Sequence, residues 1–544
     1  MVYLTFRKVA LIGSILGILI LIITLIYTHN LTTYTASIDN RPFEAGLVGS
    51  LDTLNPALIT THEEQLIASA LYEGLVCFDE KSGNLKPLLA KSWKFSNDGK
   101  ALTIRLKQNV KFHNNEKVTA QKVKDAWEKS FSSSKEWSKI NLFLSIAGVS
   151  ERLNGSQATI TGIQALNDST LKITFAEPNS SFPYMLCNPI FWVYDIQEDT
   201  TAPQPGTGPF TLTENKDNNQ ILLTSNTNYH RGIPRLSAIK LTLFKDEALA
   251  YQSYMQGKLD YLDAIPLAEI KNIKQNDQFS SLFIEKPLME IYALGLNVNK
   301  EPFAGQYMLR RALNYAIDRN QIVENIFGGG YVPIKGVIPP QVKGFNSEMP
   351  GYIFNPDKAK QLLEEAGHPE GEGLKTITLS YNSDEGHKLV AEAIAEQLAP
   401  LGISIQLQPM EWLYYKKQME QEALTCFRIG WAADYPDADS LLYGLFHSSM
   451  AGRGNYTGYN NPQVDKILNA ARAEIKSNDE RLKLLRRAEE IIVDDAPILW
   501  LFQKKTAAIT GPQTRLLNIN RMGMVDWFAV ELVKPHLEEE KIGQ

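Results

Sequence analysis

Between Val9 and Tyr27 the chain runs for 19 residues without a charge, and no second run of that kind follows. Arg7 and Lys8 stand ahead of it, and the next acidic residue is Asp39. Basic residues before an apolar run are the pattern of a secretory signal or an uncleaved membrane anchor. At about 1.5 Å per residue such a run reaches across a bilayer core, and it is longer than an ordinary signal's apolar stretch. Thr35-Ala36-Ser37 offers small residues for cleavage, and no cysteine follows the run for lipid attachment. Residues 1–39 are therefore expected to anchor or export the chain. That places the body in the periplasm or on the outer face of the cytoplasmic membrane, possession of a single run excluding a pore.

The rest of the 544 residues exceeds one ordinary core, so two or three domains are expected. Fifty-five basic against 61 acidic residues leave a charge of −6. A protein that reads nucleic-acid backbone carries the opposite excess, so that partner is set aside. Cys77, Cys187 and Cys426 lie far apart and the eight histidines are scattered. Neither a disulfide framework nor a metal site follows from them, and no cofactor is expected.

Local patterns predict a mixed fold. Leu102 to Leu106 alternates as a half-buried strand after the Asn97-Asp98-Gly99 turn, and Leu171–Phe175, Ile221–Thr224 and Ile239–Phe244 also predict strands. Asn355-Pro356-Asp357 supplies a cap, a first-turn proline and an acidic first turn. Ala359, Leu362, Leu363 and Ala366 then line one helical face before Gly367. Residues 388–399 and 479–493 repeat the helical period, with a strand expected over Ile403–Leu407. Strand-rich and helix-rich portions imply two lobes of an α/β protein with a cleft where they meet.

Catalytic patterns fail one by one. His62-Glu63-Glu64-Gln65 opens like a zinc-protease helix, but position 66 is Leu instead of the second His. Gly328-Gly329-Gly330 lacks the lysine and helix start of a phosphate loop and reads as a turn. Glu489-Glu490 and Asp494-Asp495 read as the solvated face of a charged helix. The chain is expected not to be an enzyme.

A series of segments in fixed order is more specific. Leu71-Tyr72-Glu73-Gly74-Leu75 precedes Leu88-Leu89-Ala90-Lys91-Ser92-Trp93, then Ser96 to Lys100, Val110-Lys111-Phe112-His113 and Val118 to Val123. Arg310 to Arg319, Asn355 to Gly367, Tyr381 to Lys388, Glu411-Trp412 and Arg428 to Tyr435 continue it. This order resembles the extracellular solute-binding proteins of the peptide/nickel family, which capture ligands for ABC importers, and the last segment is most similar to the oligopeptide-binding branch. Asn115 departs from it, standing near a position where the family usually has glycine.

The resemblance implies a two-lobed periplasmic-binding-protein fold with an extra domain and a hinge between lobes. Residues 40–57, 186–287 and 503–535 would form domain I, with a tail to 544. Residues 58–185 would form domain II and 288–502 domain III. The resemblance also implies oligopeptides as ligands, permease subunits as partners and a monomer.

A free peptide offers an ammonium, a carboxylate and main-chain polar groups. A receptor indifferent to side chains grips those and leaves wet pockets for the rest. Arg428 and Asp434 would share one face of an extended strand, roughly 20 Å apart at about 3.3 Å per residue. Both can meet one short ligand only if the backbone bends or Arg428 reaches inward. Without the resemblance, Asp434 reads as a cap or turn residue before Pro436. With it, Asp434 is implied to take the peptide amine, and Arg428 and His387 its carboxyl end. Gly46, Leu47 and Val48 with Gly430, Trp431 and Ala432 would pair with the peptide backbone, and Trp412 and Tyr435 would line a side-chain pocket. Two functional classes remain, an importer's oligopeptide receptor and a ligand-sensing or scaffold protein of the same fold. Within the first, dipeptides, haem or metal complexes are alternative ligands.

Overall fold

The segment Ile498–Thr510 shows how the chain builds its frame. Its first six residues are buried, Lys504 to Ala507 are half-buried, and the last three are buried again. An apolar run interrupted by a polar centre suits a strand that passes through one core, crosses a gap and enters a second. The computed structural model, which describes residues 39–134, 136–197, 203–216 and 219–534, has that arrangement. The run Val9–Tyr27 lies outside the described residues, and among those described no helix is long and apolar enough to cross a membrane.

Among the described residues eleven strands form one sheet. They are β1 (Phe43–Val48), β2 (Phe210–Lys216), β3 (Gln220–Ser225), β4 (Ala238–Phe244), β5 (Tyr261–Leu262) and β6 (Phe283–Leu296). Then come β7 (Val332–Pro333), β8 (Ile377–Asn382), β9 (Ile405–Met410), β10 (Cys426–Ala432) and β11 (Ile498–Thr510). Their order is β9-β8-β10-β6-β11-β5-β1-β4-β3-β2, with β7 on β11. One lobe is thus built on β1 to β5 and the other on β8 to β10. The antiparallel pair β6 and β11 belongs to both.

That pair is regular at its two ends and broken in the middle. Phe283 to Pro287 pair with Ile509 to Lys505, and pairing resumes only at Ile291 with Gln503. Leu288, Met289 and Glu290 bulge out between them. A bulge locally bends its strand and re-aims side chains, and this one lies where the strands leave one lobe for the other. Their joint passage makes the molecule two-lobed.

Each lobe has its own apolar interior. Phe43, Leu47, Ile239, Leu241 and Tyr261 fill the first, and the C-terminal stretch returns to it, Trp527 packing edge-on against Phe43 and Tyr261. A separate four-stranded sheet orders Ala90–Phe95, Ala101–Leu106, Thr170–Thr174 and Ile163–Asn167, and covers its own core around Trp127, Phe143 and Phe191. The second lobe carries two cores, one around Phe427, Leu445 and Trp500, the other around Leu313, Leu379 and Ile394.

Several expected elements form with small shifts. Thr170–Thr174, Gln220–Ser225 and Ala238–Phe244 are strands, and Asn355 caps a helix over Pro356–Glu365 by accepting the Lys358 N–H. The expected strand at Ile403 begins at Ile405 instead, because Gly402 turns with φ 72° and Ile403 is committed to the core. Asn115 adopts φ 69°, a left-handed conformation that asparagine tolerates better than most side-chain-bearing residues.

Candidate functional site

Where β6 and β11 cross between the lobes they form the floor of a cavity of about 890 Å³. Glu290 and Lys504 face it from the two crossing strands, bonded to each other at 2.6 Å. Thr60 to His62, Lys139 and Asp263 line it from the first lobe's side, and Tyr331, Asp384, His387 and Ala432 to Asp434 from the other. The polar centre of β11 therefore supplies part of the cavity's charge.

Asp434 follows directly on the end of β10. Its N–H donates to Ser440 Oγ at 2.8 Å, and its C=O accepts from Asn188 Nδ2 at 2.9 Å. The next residues are held as firmly. Arg481 grips Asp437 with two bonds of 2.8 and 2.6 Å, and Arg472 grips Asp439, which also accepts the Tyr435 phenol at 2.6 Å. The main chain is thus clamped while the carboxylate faces the cavity without an ion pair among the described residues. Burial pushes its pKa up to about 7, against the opposing charge of Lys139. Lys139 donates to the carbonyls of Ala57 and Ile59, and burial lowers its pKa to about 8, with Glu136, Glu64 and Asp434 acting the other way.

On the opposite side His387 lies in the first turn of the helix Glu385–Leu398, 3.3 Å by Nδ1 from the Tyr292 hydroxyl. Burial, then the charges of Arg428 and Lys504, lower its pKa to about 4, so it is a neutral hydrogen-bonding group at pH 7. Arg428 stands a step behind. Its guanidinium lies 5.1 Å from the Tyr292 ring centre and folds over Gly430, where a Cβ would come within 2.4 Å of Nη2. Glycine at 430 is what lets that planar group lie flat on the strand. Beyond Tyr292 the rings of Phe502 and Tyr331 stack in succession, at 4.7 and 5.1 Å.

The expected site residues are therefore divided. Asp434, His387 and Ala432 line the cavity together; Arg428, Gly430 and Trp431 do not. The β10 edge at Gly430 to Ala432 pairs with β6 on one side, while β8 pairs only with Cys426 and Phe427 on the other. That leaves a strand edge open. Trp431 turns away and covers Gly444 and Gly454. The expectation for Gly46, Leu47 and Val48 needs correction: Gly46 already pairs with Thr242 and Leu262, Leu47 with Leu243, and the Val48 N–H donates to Asp263. β1 is an interior strand, so a ligand cannot add to it. Tyr435 and Trp412, expected in a side-chain pocket, do not line the cavity either. Tyr435 is a core residue bonded to Asp439, and Trp412 begins a surface helix with about half its surface exposed.

Glu290, Lys504, Lys139 and Asp263 had no motif to announce them. They come from four distant segments that only the tertiary fold assembles. Burial, with Glu63 and Glu247 nearby, raises Asp263 to about 8 against the Val48 N–H bond. Among the described residues no group of three or more His, Cys, Asp or Glu side chains could hold a metal ion. The cavity can hold a ligand bearing both signs of charge.

Residues 84–453 match the model of the bacterial extracellular solute-binding proteins, family 5 middle region, and the chain belongs to that family. It is 28% identical to the oligopeptide-binding protein OppA of Bacillus subtilis, the match covering 86% of each chain. It is 28% identical to the haem-binding protein A of Haemophilus influenzae over 81% of this chain and 83% of that one. The murein tripeptide-binding protein MppA of Escherichia coli shares the fold with a TM-score of 0.76 and 25% identity, over 92% of this chain and all of that structure.

Proposed function

We propose that this protein is the substrate-binding component of an ABC importer and that it encloses peptides between its lobes for delivery to a membrane permease. The observation that carries the reading is Asp434, whose main chain is clamped and whose carboxylate, without an ion pair among the described residues, faces the interlobe cavity. A peptide ammonium supplies the positive charge that such a group lacks. His387 donates to the carboxyl end, with the Arg428 charge behind it, and the open β10 edge meets the peptide main chain. Residues 9–27 hold the protein at the outer face of the cytoplasmic membrane or direct its export. Residues 288–502 close as one body against the segments 40–57, 186–287 and 503–535.

Haem is the competing ligand, because one relative is named for it and the stacked rings of Tyr292, Phe502 and Tyr331 adjoin the cavity. Native mass spectrometry of the purified protein separates the two. Co-purified or added peptides retained at unit stoichiometry are expected. Retention of a tetrapyrrole, with no peptide held from a mixed library, would contradict the proposal.

A further inference from the structure

The cavity is lined by four basic side chains in different states of engagement. Lys139 is tied to two carbonyls. Lys505 bonds Glu285 and the Gly329 carbonyl at 3.3 Å each. Arg521 is held by the Glu80 carboxylate and the Gln341 carbonyl. Lys504 differs: among the described residues its one partner is Glu290, which faces the same cavity.

Glu290 is also unusual in its setting. It ends the bulge in β6, and the bulge's main chain is secured without its side chain. Gln503 Nε2 donates to the Leu288 carbonyl, the Met289 N–H to the Arg521 carbonyl, and the Ala433 N–H to the Met289 carbonyl, all at 2.7 to 2.8 Å. The carboxylate can therefore leave Lys504 without unravelling the strand.

We infer that Lys504 receives the ligand's carboxylate and that Glu290 is the placeholder it displaces. This rests on the peptide reading above and adds the group that selects the anionic end. A lysine half-buried in a cavity wall is favoured by a nearby counter-charge with or without ligand. Glu290 supplies one, and exchanging it for a ligand carboxylate leaves the lysine paired throughout. Neutral His387 and recessed Arg428 cannot offer that charge at the cavity surface.

The sheet register sets the ligand's length. Glu290 pairs with Ala432 on one side, and Lys504 flanks the bulge on the other. Two strand spacings of about 4.8 Å and two residues of about 3.3 Å put the Lys504 and Asp434 Cα atoms about 12 Å apart. With both side chains reaching inward, the gap suits a peptide of two to four residues.

Calorimetry with trialanine as free acid and as C-terminal amide, on the parent and on Lys504→Met, tests this. Amidation should weaken binding to the parent by about 30-fold or more. In Lys504→Met the free acid should be weakened similarly, and amidation should then cost little further. Lys504→Arg should restore most of the discrimination, and Glu290→Gln should strengthen free-acid binding by removing the competitor. An amidation penalty equal in parent and Lys504→Met, or weaker free-acid binding in Glu290→Gln, would overturn the inference while leaving peptide binding intact. A parent that binds neither form would overturn the peptide reading and this inference together.

Discussion

Asp434 ionises with difficulty because burial removes water from its carboxylate and Lys139 compensates only in part. Its pKa of about 7 lies above the ordinary aspartate value of about 4, so the folded state holds the proton more tightly than the unfolded one. Ionising it therefore costs stability progressively from about pH 4 to 7 and in full above 7. A bound ammonium offsets that cost. Affinity for a free-amine peptide should accordingly be nearly flat from pH 7 upward until the ligand's own amine titrates near 8. Below 7 it should fall by up to about tenfold per unit. His387, already neutral down to about pH 4, adds no step in that window. Calorimetry between pH 5 and 7.5 checks this, and an N-acetylated peptide should show no such slope. Equal slopes for both ligands would place the titrating group elsewhere.

The helix Ala438–Phe446 and the long helix Asn478–Asp495 fix the segment that carries Asp434 through the buried pair of Asp437 and Arg481. Both side chains are at most 3% exposed, so removing the arginine strands a charge in the interior. Arg481→Met should cost about 3–5 kcal/mol, read as a lowered denaturation midpoint, whereas Asp437→Asn combined with Arg481→Met should recover much of that. An unchanged midpoint in the single variant would contradict this role. Elements of this kind were legible wherever the signal is local: the cap at Asn355, the alternation at Leu102 to Leu106, the turn at Gly99. The same long helix also shows where legibility stops. Glu489 reads as part of a solvated charged face, yet it is fully buried and accepts the Ile338 N–H at 2.7 Å, with burial raising its pKa to about 7. Its partner lies 151 residues away, and no periodicity records such a contact. Asp434 and His387 could be found through a motif's resemblance. Lys504 and Glu290 could not, since their pairing depends on a bulge between two strands more than two hundred residues apart in the chain.

At the scale of the whole molecule, the structure is drawn together around the cavity. Glu136 bonds Lys416 at 2.6 Å, Asn188 meets the Asp434 carbonyl, and the Ser180 N–H donates to the Arg472 carbonyl at 2.7 Å. These contacts join the portion that carries the four-stranded sheet to the lobe built on β8 to β10. If the two parts separate about the β6 and β11 crossing, ligand shifts the population toward the joined state by its higher affinity for it. Small-angle scattering should then give a smaller radius of gyration with peptide than without. An unchanged profile at demonstrated saturation would mean a preformed cleft. The central claim is narrower, namely that the enclosed ligand is a peptide whose ammonium rests on Asp434. A calorimetric cycle of parent and Asp434→Asn against one peptide with free and acetylated amine tests it most directly. Each single change should weaken binding by about 30-fold to a few thousand-fold, and the double change should be far from additive. Asp434→Asn binding the free-amine peptide as tightly as the parent would contradict the account.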